Sequence, residues 1–214
     1  MMFFDRNEAG SLLVNKLQKY RSENAIILAV PRGGVPLGYI IAKELNLPLE
    51  VILSKKIGHP FHKEYAIGAV TLNSRILSEA ADEISVNYIE DETKKIRELL
   101  KKRYNQYYKN RKPIDFKDKS LIVVDDGIAT GNTILSTIEM LSQENPAKII
   151  VAIPVAPTSA IKKLQNSEFI KEIICLSTPI NFQSVGQFYK NFKQVDDKEV
   201  ESFLQKANSI KHSI

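Results

Sequence analysis

Two adjacent acids, Asp125 and Asp126, stand at the end of the β-branched run Leu121-Ile122-Val123-Val124. They are followed by the small-residue turn Gly127-Ile128-Ala129-Thr130-Gly131-Asn132-Thr133. The run reads as a buried parallel strand. A helical pattern then follows at Ile134, Leu135, Ile138 and Leu141. A strand, a tight turn and a helix N-terminus present free backbone N–H groups at the positive end of the helix dipole, which is a seat for phosphate. Thr130 and Thr133 add hydroxyl donors, and Gly131 lets the backbone approach a ligand closely. The acids cannot serve that phosphate, so they address another part of the same ligand, such as sugar hydroxyls or a Mg2+ ion. A phosphate at one end and a diol about a ribose-width away describe a ribose 5-phosphate.

The stretch resembles the phosphoribosyl pyrophosphate (PRPP) signature of the type I phosphoribosyltransferases: an apolar run, two acids, a small loop and Thr-Gly-x-Thr. The resemblance implies that Asp125 and Asp126 contact the ribose 2′- and 3′-hydroxyls. It implies equally that Ala129, Thr130, Gly131, Asn132 and Thr133 wrap the 5′-phosphate. A generic doubly wound α/β turn with solvent-exposed acids, or a phosphate-accepting receiver-type domain, would also place acids at a strand end.

A second turn, Ala29-Val30-Pro31-Arg32-Gly33-Gly34-Val35-Pro36, closes the first apolar strand. Consecutive glycines allow close backbone approach, and Arg32 offers a forked donor suited to pyrophosphate. Beside the PRPP signature this looks like the family's pyrophosphate loop, whose peptide near Pro31-Arg32-Gly33 is expected to be strained or cis. Lys55 and Lys56 close the next expected strand on the expected pyrophosphate side, where lysine serves as a point charge. Residues Gly58 to Ala66, with His59, Pro60, His62 and Glu64, read as a mobile loop that would close over bound substrate. His59 and His62 make a poor metal pair, with only Glu64 as a nearby third ligand.

The likeness runs the length of the chain. Asp5-Arg6 through Ala9-Gly10, Lys56-Ile57-Gly58, Ala66-Ile67-Gly68-Ala69-Val70 and Val185-Gly186-Gln187-Phe188-Tyr189 look like a little-characterised bacterial and archaeal phosphoribosyltransferase-like family. Hypoxanthine, guanine and xanthine enzymes carry an Asp three residues after the second acid. This chain has Ala129 there, which cannot do acid–base work. Adenine enzymes also have Ala at that point and use a Glu-Tyr pair in the mobile loop, a stretch comparable to Glu64-Tyr65. By this resemblance Asp125, Asp126, Arg32 and Glu64 are the catalytic candidates. Mg2+ is the expected cofactor, held largely by PRPP with Asp125 and Asp126. PRPP and an acceptor base are the partners, and a homodimer is the expected assembly.

The elements that must position these residues alternate along the chain. Helices are expected at about 7–20, 35–45 and from the Ile89 region to about Asn110, and after the signature strand. Strands are expected at 25–30, 49–53, 66–72, 75–77, 148–155 and 172–176. Alternation of this kind indicates an α/β fold with a mainly parallel sheet flanked by helices and the site at the strands' carboxyl ends. With 214 residues the chain suits a single domain. A core of about 24–178 would carry a small C-terminal hood at about 179–214. In the hood Phe182, Phe188, Tyr189 or Phe192 could stack on a base or form its own core.

Hydrophobic content of 43% and charged content of 26% fit a soluble globular protein. No stretch is apolar enough to span a membrane, and Met1-Met2-Phe3-Phe4-Asp5 lacks a signal-peptide layout. Cys175 is the single cysteine, so no intrachain disulfide can form and a cytoplasmic setting is expected. The net charge of +5 suits a polyanionic ligand or nucleic acid. Basic residues gather at 94–103 and 109–112, interleaved with Ile89, Ile96, Leu99, Leu100, Tyr104 and Tyr107. That pattern is a long amphipathic helix with a solvated basic face. The alternative reading is a non-catalytic PRPP-sensing regulator that uses this helix on nucleic acid. A PRPP-type kinase is disfavoured, because no separate ATP site is visible.

Overall fold

A computed structural model describes residues 1–63, 65–109 and 114–210. Five strands form one parallel sheet: β1 (Ala25–Ala29), β2 (Leu49–Val51), β6 (Ser120–Val124), β7 (Lys148–Val155) and β8 (Ile170–Ser177), in the order β2-β1-β6-β7-β8. Between β2 and β6 the chain builds a separate antiparallel sheet from β3 (Lys55–Gly58), β4 (Ala66–Val70) and β5 (Arg75–Leu77). The helices are α1 (Arg6–Leu17), α2 (Gly34–Leu45), α3 (Val86–Tyr108), α4 (Asn132–Ser142), α5 (Thr158–Gln165) and α6 (Asp197–Ile210).

Because the central strands are apolar on both faces, each alternates its side chains between two cores. Ile27, Ala29, Ile122, Val124, Ile150 and Ala152 share a cluster with α1 and α2. Ile26, Leu28, Leu121, Val123, Ile149, Val151 and Ile153 pack with Ile134, Ile138 and Leu141 of α4 and Ala160 and Leu164 of α5. Helices on both faces of a parallel sheet are the doubly wound arrangement, and it leaves the carboxyl ends of the strands open as a crevice.

Most expected elements form within one or two residues of their anticipated bounds. Helix α2 ends at Asn46, which takes the left-handed conformation (φ 55°). The strand expected at 49–53 stops at Val51, whose N–H donates to the Tyr108 hydroxyl at 2.7 Å. The stretch from Gly58 to Ala66 is less of a loop than expected. Gly58 belongs to β3, and the His59 N–H donates to the Tyr65 carbonyl, which makes the segment the tip of a hairpin. Helix α3 buries Ile89, Ile96, Leu100, Tyr104 and Tyr107 as expected, but Leu99 is exposed. Its anticipated last residue, Asn110, lies outside the described residues.

The C-terminal part differs most. Only the strap from 178 to 196 lies over the strand ends. Beyond it α6 returns along the body and packs on α2, α3 and β2 through Val200 and Leu204, with Phe203 against Tyr39. The expected hood is therefore a strap, and α6 belongs to the layer of helices on the α1–α2 side.

The register fixes the site. β1 and β6 pair in parallel from Ala25 opposite Ser120 to Ala29 opposite Val124, so the two turns that follow them emerge side by side. A Cβ at Gly34 would lie 2.5 Å from the Val124 carbonyl oxygen. Gly34→Ala should therefore lower stability by roughly 1–3 kcal/mol, the scale of overpacking against unyielding backbone. Urea denaturation checks this, and an unchanged midpoint would mean that the two turns are not in contact.

Candidate functional site

The second acid is held by partners from three parts of the chain. Arg6, the first residue of α1, donates its Nε and one terminal nitrogen to Asp126 Oδ2 at 2.9 and 2.7 Å. Both side chains are nearly buried, at 11% and 13% exposure. The other terminal nitrogen of Arg6 donates to the Lys193 carbonyl at 2.6 Å, and its guanidinium lies 4.0 Å above the Phe192 ring. The Tyr189 hydroxyl donates to the Asp126 carbonyl at 2.6 Å. A Cβ at Gly33 would lie 2.1 Å from Asp126 Oδ2, so any side chain here would have to displace the carboxylate that Arg6 holds.

Asp125 faces the other way. Its Oδ1 accepts the Asp126 N–H at 2.8 Å. Its side chain helps line a cavity of about 230 Å³ with Gly127, Ala129, Thr130, Gly131, Thr133 and Thr137. Gly131 is the N-cap of α4 with φ +79°, a conformation that favours glycine. Having no side chain, it cannot close the first turn, and the leading N–H groups of α4 are available to an anion. Lys163 of α5 adds a cation here, donating to Asn132 Oδ1 at 2.7 Å.

A second cavity, about 330 Å³, lies on the Asp126 side, lined by Arg6, Arg32, Gly33, Phe192, Gln194 and Val195. The Pro31–Arg32 peptide is cis, as the resemblance implies. Arg32 is largely exposed, and one of its terminal nitrogens lies 3.9 Å from Asp197 Oδ2 at the start of α6. Asp125 and Asp126 thus stand between a phosphate-type cradle and a cleft onto which Arg32 opens, the Arg6 guanidinium being engaged by Asp126 and the Lys193 carbonyl. That arrangement can hold a molecule with an anionic group at each end and hydroxyls between.

Other expected residues are placed elsewhere. Lys55 and Lys56 do not end a strand of the main sheet. They open β3 and line a separate groove with Lys63, Glu92 and Lys95, outside both cavities described above. Glu64 lies outside the described residues. The rings of His59 and His62 stack at 5.8 Å, and among the described residues no three His, Cys, Asp or Glu gather as a metal cage. Two adjacent carboxylates nevertheless fit a Mg2+ ion that arrives on a ligand's phosphates, because Mg2+ commonly takes only one or two protein carboxylates.

The aromatic residues of the strap spend their faces on one another. Phe182 stacks on Phe188 at 5.4 Å, while Tyr189 lies 5.4 Å from Phe3 and 5.0 Å from Phe192. Arg6, Lys163 and Tyr189 carry the parts of the site that local sequence did not reveal. Arg6 and Tyr189 fall within quoted resemblance motifs, which were the only signal for Arg6, while Tyr189 also stood among the aromatic residues named for the hood.

Comparison with known proteins identifies the family and agrees with the fold. The phosphoribosyl transferase domain model matches residues 6–189, and the chain belongs to that family. A Mycobacterium tuberculosis protein, provisionally named a phosphoribosyl transferase, is 33% identical over 97% of this chain. The chain spans about half of that relative, 47% of its length. The crystal structure of TT1426 from Thermus thermophilus superposes with a TM-score of 0.84 at 35% identity, covering 96% of this chain and 99% of the other. A Neisseria gonorrhoeae protein solved with bound ppGpp shares the fold at a TM-score of 0.51 and 13% identity, covering 96% and 98% of the two chains.

Burial and the neighbouring Asp126 carboxylate push the Asp125 pKa well above its ordinary value, against a lowering from the Asp126 N–H and Arg6. A carboxyl raised in this way holds more protons folded than unfolded. Its contribution to stability therefore falls as pH rises from the ordinary aspartate range through the raised value. Asp125→Asn should have a higher thermal midpoint than the wild-type chain near neutral pH, with the gap closing below about pH 4. A constant gap across pH would show that the gain has nothing to do with ionisation.

Proposed function

We propose that the chain moves the 5-phosphoribosyl group of PRPP to a nitrogen nucleophile with release of pyrophosphate. The observation that carries this reading is the abutment of two strand-end turns, one able to hold each end of PRPP. The 5′-phosphate would sit on the N–H groups of Ala129 to Thr133, with Lys163 nearby. Asp125 and Asp126 would accept hydrogen bonds from the ribose hydroxyls and fix the ring for attack. Arg32 and the Gly33-Gly34 backbone would face the pyrophosphate.

In the reaction the bond from C1 to the pyrophosphate oxygen breaks, and its electron pair leaves with pyrophosphate. The acceptor nitrogen supplies the pair for the new bond to C1. Positive charge developing on the ribose is favoured by the neighbouring carboxylates, and the negative charge gathering on the leaving group by Arg32. When bound, Mg2+ would neutralise phosphate charge, with Asp125 and Asp126 placed to share it. The regulator reading gains no specific support from α3. Its exposed basic face is mixed with acids, as Glu92 meets Lys63 and Lys95 and Glu90 meets Arg75.

The direct test is a mass-spectrometric screen of metabolite extract for a ribosylated product that appears only with PRPP, Mg2+ and this chain. A PRPP-binding chain that yields neither product nor pyrophosphate would be a sensor. Binding is tested separately. PRPP or ribose 5-phosphate should raise the thermal midpoint by mass action, and the double change Asp125→Asn, Asp126→Asn should abolish that rise. An unchanged rise in the double variant would remove the acids from the ribose.

A further inference from the structure

The N-terminal residues reach the site by an unbroken set of contacts. The Phe3 N–H donates to the Phe188 carbonyl, while the Lys190 and Asn191 N–H groups donate to the carbonyls of Phe3 and Phe4. This short parallel pairing locks the N-terminus to the strap. Asp5 then caps α1, its Oδ1 accepting the N–H groups of Asn7 and Glu8 at 2.8 and 2.9 Å. The next residue is Arg6, which the cap and the pairing together aim at the end of β6. Its nearly buried guanidinium gives two bonds to a single oxygen of Asp126, one to the strap and a face to Phe192.

An acid that must accept bonds from a sugar needs a fixed orientation before the ligand arrives, or the ordering cost is charged against binding. A planar fork fixes a carboxylate in a way that a flexible ammonium cannot. Both Arg6 bonds fall on Oδ2, so the fork fixes the carboxylate from one side.

We propose that Arg6 is a positioning residue of the sugar site, orienting Asp126 toward the ribose hydroxyls and tying that orientation to the strap. The inference rests on the ribose-phosphate reading above. It assigns Arg6 a role distinct from phosphate binding, since the cradle for that group is formed by the opposite turn.

Calorimetric titration of the full chain with ribose 5-phosphate and with inorganic phosphate separates these roles. Arg6→Met should weaken ribose 5-phosphate by about tenfold, the scale of one charged hydrogen bond, and leave inorganic phosphate unchanged. Combined with Asp126→Asn, it should lose no more than Asp126→Asn alone, because Arg6 acts through that acid. Arg6→Lys keeps the charge and supplies a second variant should the methionine chain not fold. It too should lose ribose 5-phosphate affinity and keep that for phosphate. Unaltered ribose 5-phosphate binding in either variant would overturn the inference, as would an equal loss for both ligands or additive losses in the double variant. A wild-type chain that binds phosphate but shows no added affinity for ribose 5-phosphate would instead overturn the ribose-phosphate reading, and this inference with it.

Discussion

The site depends on the contact between the turn after β1 and the turn after β6. The strands are hydrogen-bonded neighbours that end level with each other, so their following turns compete for the same space. Two glycines resolve that competition. Gly33 lies against the Asp126 carboxylate and Gly34 against the Val124 carbonyl, and neither place admits a Cβ without displacing its neighbour. The consequence is chemical as well as steric. Close approach brings a guanidinium-bearing turn beside two carboxylates, with the open first turn of α4 just beyond. One ligand can therefore be gripped at both ends by a sheet that supplies little but backbone.

The central sheet was legible because its strands are uninterrupted apolar runs, and a strand covered by helices on both faces needs that composition. The turn between β6 and α4 was legible for a different reason, since its pattern is local: acids, small residues and hydroxyls within nine positions of sequence, 125–133. Misplacement followed where a residue's role depends on distant partners. Lys55 and Lys56 looked like the end of a sheet strand, but β2 stops at Val51 and residues 52–54 lead into a new strand that pairs with β4. Leu99 fits the apolar stripe of α3 yet stays exposed. Helix α6 has an apolar stripe in Val200, Phe203, Leu204 and Ala207, at the spacing of a helix face, but the aromatic cluster before it drew the segment toward the strand ends. Arg6 meets Asp126 across 120 positions, and no local pattern encodes such a pair.

Electrostatics at the strand ends work against folding and in favour of ligand binding. Two adjacent carboxylates repel, and burial adds to the cost of keeping Asp125 charged. Arg6 relieves one of them and, through its field, part of the strain on the other. Under the proposed function, hydroxyl donors or a cation on the ligand would relieve the remainder.

The same contacts constrain how the strap can respond. Its rings are packed on one another and on Phe3, and the exposed faces that would receive a planar acceptor are largely taken. The strap touches Asp126, through the Tyr189 hydroxyl at its carbonyl and through Arg6 at its carboxylate, and Val185 of the strap lies against Gly127. A shift of Asp126 on ligand binding would thus pull on the strap at two points, and on the N-terminal residues paired with it. Tyr189 and Arg6 grip opposite ends of one residue, so the strap follows the orientation of the acid, and through Val185 it also meets the turn that leads into α4. A ligand seated on either the acid or the turn after it would therefore be felt by the cover over the strand ends.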